Sequence, residues 1–118
     1  MIKQLPSPHT NTLVYELEDY INVEEIEIIA NGIDTILQNF DQVNLMLYIN
    51  VKGESFASFV KEFQLGIKYW NKINKIAFIG DHKNWKTIIA IDNLFTKFKE
   101  KYFELDDIAK AWDWIDDK

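Results

Sequence analysis

One short run, Lys75-Ile76-Ala77-Phe78-Ile79-Gly80-Asp81, constrains the fold more than any other stretch of the chain. It is apolar and rich in β-branched and aromatic residues, and Gly80-Asp81 stops it abruptly. Its length suits a strand covered on both faces. A long pattern of helical spacing precedes the run and another follows it, which is how a strand inside a βαβ unit reads. The rest of the chain hangs on this strand as an α/β layer structure.

Taken in order, Ile2 to Leu5 reads as a short edge strand, ended by Pro6 and Pro8, which cannot donate to a ladder. Thr12 to Glu18 alternates apolar and polar residues and reads as a half-buried strand. Asn22 and Glu25 have the spacing of a capping box. Ile26, Ile29, Ala30, Ile33, Leu37 and Phe40 then follow at helical spacing, giving a first helix with one buried face. Val43 to Ile49 is a second buried strand. Phe56, Phe59, Val60, Phe63, Ile67 and Trp70 mark the apolar stripe of a second helix, with Ser55 at its N-cap position. A third helix is expected from Asn84 to about Phe95, and a strand around Lys99 to Phe103. Asp106 is placed to cap a last helix in which Ile108, Ala111, Trp112 and Ile115 share a face, with Trp114 off that face and partly buried. The order implies a mostly parallel (mixed) sheet of four to five strands with four helices, right-handed crossovers and an antiparallel strand at one edge. Residues 1–118 are expected to form a single domain.

Charge and composition exclude several functions. The chain has no cysteine, which removes disulfide frameworks, thiolate metal sites and cysteine nucleophiles, and fits a reducing compartment. The N-terminus lacks the apolar core of a signal peptide, and no apolar run is long enough to span a bilayer, so a cytoplasmic protein is expected. The net charge of −6 is unevenly spread. Before Val51 a single base, Lys3, faces eight acids from Glu16 to Asp41; from Val51 to Tyr102 ten lysines face five acids. All thirteen bases are lysine, so the planar fork used for bidentate phosphate and guanine contacts is missing, which argues against specific nucleic-acid binding. Gly32, Gly53, Gly66 and Gly80 are isolated and build no phosphate-cradling loop.

The block from Lys75 to Asp81, then Trp85, Phe95, Tyr102-Phe103, Ala111 and Trp114-Ile115, together with Leu65-Gly66-Ile67 in the second helix, resembles the SpoIIAA-like family, a branch of the STAS domains (sulfate transporter and anti-sigma factor antagonist). The resemblance covers nearly the whole chain after Thr12. It implies a STAS-like fold, whose shape overlaps the lipid-binding core of CRAL-TRIO domains, and implies no known reaction. The chain departs from the family's frequent Gly-Trp-Thr-Pro stretch, reading Gly53-Glu54-Ser55-Phe56 there, and carries one extra residue between Asp81 and Trp85.

Candidate chemistry centres on Asp81 and His82, which follow the run at the end where open α/β sheets hold their ligands. Asp81 either accepts a hydrogen bond from a ligand or caps the next helix, and His82 is either an acid/base or an exposed turn residue. No third group with triad or metal-ligand spacing accompanies them, so the chain is expected to be no enzyme and to use neither cofactor nor metal. From Trp85 to Phe95, the side chains Trp85, Ile88, Ile89, Ile91, Leu94 and Phe95 spread round most of the helical period. More apolar surface results than one helix face buries on a small sheet. The surplus is either covered by other helices or a homodimer, or it lines an apolar pocket beside Trp70, or, flanked by Lys83 and Lys86, it docks on an anionic bilayer. Two functions stand: a non-enzymatic binding domain for an apolar or lipid-like ligand or a membrane, and a regulatory partner switch. The second follows from the resemblance, because anti-sigma factor antagonists place a phosphorylatable serine at the start of the second helix, where Ser55 stands.

Overall fold

The computed structural model describes residues 1–19, 21–50, 58–59, 61–63, 70–80 and 99–117, with the main chain alone at 70, 99 and 100. Strands β1 (Ile2–Leu5), β2 (Thr12–Glu18), β3 (Val43–Asn50), β4 (Ile73–Gly80) and β5 (Lys99–Glu104) form one sheet in that spatial order. β1 runs antiparallel to β2 because only a short loop separates them, and the other neighbours are parallel. The expected strand over Lys75–Gly80 is present as β4 and is covered on both faces, although β3 is the middle strand of the five.

Alternation along the strands divides the core in two. Tyr15, Leu17, Leu45, Leu47, Ile76 and Phe78 face Ile26, Ile29 and Ile33 of helix α1 (Val23–Leu37), together with Phe59 and Phe63. The last two lie in the helical residues 58–59 and 61–63, with their rings 5.4 Å apart. On the other face Val14, Met46, Ala77, Ile79 and Phe103 pack on Ala111 and Ile115 of helix α2 (Ile108–Asp116). β2 is therefore buried on both faces, not one: Val14 is covered as fully as Leu13, since a helix lies on each side of the sheet. Of the four expected helices, the described residues hold the first, part of the second and the last; the third, 84–95, lies outside them.

The start of α1 is held as its sequence requires. Asn22 Oδ1 accepts from Glu25 N–H at 2.9 Å, and Glu25 Oε1 accepts from Asn22 N–H at 3.2 Å. The other carboxylate oxygen of Glu25 accepts from Ile2 N–H at 2.8 Å and lies 3.4 Å from the terminal ammonium, so one side chain ties the helix to β1. Burial pushes the Glu25 carboxyl up, but the two N–H donors and the ammonium outweigh it and leave it below the ordinary carboxylate range. A group with a lowered folded-state pKa contributes stability above its unfolded pKa and loses it as pH falls through the folded value. Glu25→Gln is therefore expected to be less stable than the unmodified protein by about 1 kcal/mol at neutral pH. The two urea curves should converge as the carboxylate is protonated in acid, and a gap that persists there would contradict this account.

Two details of the elements differ from expectation. Phe40 lies beyond the end of α1 and is 38% exposed, because the helix stops at Leu37 and a turn follows. Asp106 does not cap α2: it sits in a 3₁₀ turn, Leu105–Asp107, and the N-cap position falls on Asp107, whose side chain makes no capping bond. The chain uses this tight turn to pass from β5 onto the second face, shifting the helix start beyond Asp106.

Gly32 is the small residue that lets α1 approach β2. A Cβ there would lie 2.2 Å from the hydroxyl oxygen of Tyr15 and 3.1 Å from Leu13. Tyr15 is fully buried, its hydroxyl has no hydrogen-bond partner among the described residues, and burial pushes its pKa up to about 12, so it acts as a neutral space-filling ring. Alanine normally favours a helix over glycine by about 1 kcal/mol. Here overpacking of about 1–3 kcal/mol is expected to win, so Gly32→Ala should destabilise. Tyr15→Phe should be neutral or stabilising, because it removes an unsatisfied buried group. The double variant should recover most of the loss, and additive effects of the two changes would refute the contact.

Candidate functional site

Open parallel sheets gather ligands at the carboxyl ends of their strands. Here that edge is built from Glu18, Asn50, Gly80 and Glu104, the last residues of β2 to β5. Gly80 pairs with Glu104, and a Cβ on Gly80 would meet the Tyr102 hydroxyl at 2.5 Å, so the glycine is what admits the tyrosine. Glu104 Oε1 is shielded from solvent without a hydrogen-bond partner among the described residues. One strand pair away, Tyr48 sits opposite Glu16. Burial raises the Tyr48 pKa and the Glu16 charge adds to it, which keeps the phenol protonated and able to donate, not to act as a base.

The opposite end of the sheet carries the buried charge. Ile73 pairs with Val43 and Lys75 with Asn44, which leaves Asn74 as the extra residue of a β-bulge. The bulge keeps Ile73 and Ile76 in the same cluster and sends Lys75 to the other face. Lys75 is only 5% exposed. Its ammonium donates to the carbonyl of Trp114 at 2.6 Å and to that of Asp117, and lies 5.3 Å from the Trp114 ring centroid. A cation at the carbonyl-rich end of a helix is electrostatically favourable, so Lys75 fastens the end of α2 to the sheet. Beside it, His9 Nε2 lies 3.2 Å from Asp116 Oδ1, with its ring 5.3 Å from that of Trp112. The loop between β1 and β2 thus also grips α2.

Where α1 ends, an open groove of about 350 Å³ is lined by Asp34, Leu37, Gln38, Phe40, Asp41 and Lys72. Among the described residues no three His, Asp or Glu side chains are grouped to hold a metal ion.

Of the residues singled out from sequence, Trp70 opens a 3₁₀ turn, Trp70–Lys72, directly before β4, so it lies outside the second helix. Ser55, Asp81, His82, Lys83, Trp85, Lys86, Ile88, Ile89 and Phe95 lie outside the described residues. His9 is in a loop, as expected, and Trp114 is half-buried against Phe103, 5.9 Å between ring centroids. Sequence reasoning missed the role of Lys75. The available signal was a lysine inside a run covered on both faces, which must find acceptors when it is buried. Nothing local signals the pairing of His9 with Asp116, since the two are far apart in the chain.

The architecture defines a class: an α/β domain whose mixed sheet has one antiparallel edge strand, with helices on both faces. Residues 12–116 match the family model described as SpoIIAA-like, and the chain belongs to that family, within the STAS domains. No curated protein and no solved structure matches the chain. Membership in this family fits a binding or regulatory role. No helix among the described residues is long and apolar enough to cross a membrane.

Proposed function

We propose that the protein is a non-enzymatic binding domain for an apolar or lipid-like ligand, or for peripheral contact with an anionic membrane, through residues 83–95 beside Trp70. The observation that carries this reading is a surplus of apolar side chains. The sheet already receives Ile26, Ile29, Ile33, Phe59 and Phe63 on one face and Ala111 and Ile115 on the other. The sequence then adds Trp85, Ile88, Ile89, Ile91, Leu94 and Phe95 within the stretch expected to form the third helix, with Lys83 and Lys86 beside them in sequence. With Trp70, Trp112 and Trp114 replaced by Phe, the emission of Trp85 is expected to shift blue on adding fatty acid or anionic vesicles. Ile88→Glu should abolish the shift while the protein remains folded. An unchanged spectrum at high lipid overturns the reading.

A second reading is a phosphorylation-controlled partner switch. Ser55 falls between the end of β3 at Asn50 and the helical residues that begin at 58, the place where anti-sigma factor antagonists carry their serine. A phosphate at a helix start meets free backbone N–H groups and the positive end of the dipole, whereas Glu54 beside it repels the added charge. Intact-mass measurement on protein from native cells should show the phosphorylated species under some growth condition. If none is found and Ser55→Ala costs about 1 kcal/mol, Ser55 is an N-cap and no switch.

A further inference from the structure

The exposed side of α1 and the groove at its end carry carboxylates that have no ion-pair partner among the described residues. Glu24, Glu27 and Asp34 are exposed on the helix, and Asp41 follows it. None of the four has an ion-pair partner among the described residues, unlike Glu25, which is fully used in the cap. Acids near the start of a helix suit its dipole, but α1 has no base in its last turn. Asp34 and Asp41 instead place carboxylates at the end that already carries the free carbonyls and partial negative charge. The fold would be more stable with lysine there, so this arrangement costs stability without a folding reason.

Apolar groups accompany the charge. Ile28 is 43% exposed on the outer side of α1, four residues after Glu24 and three before Asn31, so these are its neighbours on the helix surface. The groove is lined by Leu37 and the exposed Phe40 together with the carboxylates of Asp34 and Asp41 and with Gln38, and Lys72 is the one cation among these lining residues. A groove that is lined by apolar side chains and carboxylates together matches a long side chain with an apolar stem and a cationic head, which is a lysine or arginine.

We propose that the outer face of α1 and the groove formed by Asp34, Leu37, Phe40 and Asp41 are a docking surface for a basic, amphipathic segment of a partner protein. One Lys or Arg of that segment inserts beside Phe40, between the carboxylates, and an apolar residue packs on Ile28. The cation supplies the charge that the helix end lacks, so the site is unfavourable when empty and relieved when filled. Charge complementarity fixes the class of partner: an anionic bilayer or a nucleic acid would be repelled by the same carboxylates. None of the residues that form this surface falls within 83–95 or at Ser55, so this proposal is tested apart from the readings above.

The probe is a short fluorescein-labelled helical peptide of lysine and leucine at amphipathic spacing, with a glutamate–leucine peptide of the same length as control. The lysine peptide is expected to bind the full chain with an affinity that falls steeply with salt, and the control not at all. Amide shifts in the ¹⁵N-labelled, unmodified protein should map to α1 and to residues 38–41. The variant combining Asp34→Lys with Asp41→Lys should lose about tenfold or more in affinity while melting at a higher temperature, a pairing that a merely structural role would not give. Phe40→Ser should weaken binding without changing its salt dependence. Shifts that map elsewhere, or affinity unchanged by both variants, overturn the proposal. So does sedimentation showing that a second copy of this chain occupies the face.

Discussion

Phe78→Ala is expected to lower the unfolding free energy by about 3–5 kcal/mol, a large part of what a domain of this size possesses. Phe78 is completely buried in β4, paired with Leu47 of β3 on one side and Tyr102 of β5 on the other. It belongs to the cluster that includes Ile29, Ile33, Phe59 and Phe63, drawn from two helical segments. Removing its ring leaves a cavity whose walls belong to a hydrogen-bonded sheet, and a sheet cannot collapse inward to fill it. Urea denaturation should show a lower midpoint at an unchanged slope. A loss under about 1 kcal/mol would mean that β4 is not a core strand.

Lys75→Met should cost about 2–3 kcal/mol although it replaces a buried charge with an apolar chain of similar length. Buried charges are often replaced at little loss when both partners are removed together. Here the partners are main-chain carbonyls of Trp114 and Asp117, which no side-chain substitution removes. The half-buried Trp114 carbonyl would keep only the long bond from Asp117 N–H at 3.3 Å and lose its short charged donor, and the end of α2 would lose its cation. The damage should be local: faster amide exchange over the last turn of α2 and a red-shifted Trp114 emission, with β2 and β3 unaffected. A neutral or stabilising Lys75→Met would show that the ammonium does not fasten the helix.

These two residues lie three positions apart in one strand but were not equally legible. The burial of Phe78 follows from its neighbours Ile76, Ala77 and Ile79, because a run of that composition and length has few other uses. Lys75 belongs to the same run, yet its partner lies at the far end of the chain, on an element whose path is set by the 3₁₀ turn at Leu105–Asp107. The capping box of Asn22 and Glu25 was fully legible because both groups lie within four residues. The second bond of Glu25, to Ile2, was not, since it depends on β1 lying beside the helix start. The groove was legible only as an excess of acids before Val51; its concavity comes from the early stop of α1 at Leu37 and the approach of Lys72.

The sequence by itself determined the strands and the buried face of α1, because each rests on periodicity and on interactions between near neighbours, and its ordered motifs carried the resemblance to the family. Tertiary structure alone decided that β2 is covered on both sides, that Gly32 must be small, that Lys75 and His9 hold α2, and that Asp34 and Asp41 share a groove. The physical reason is that these depend on which surfaces meet. Contacts between residues distant in the chain follow from the packing of whole elements, which no local pattern records.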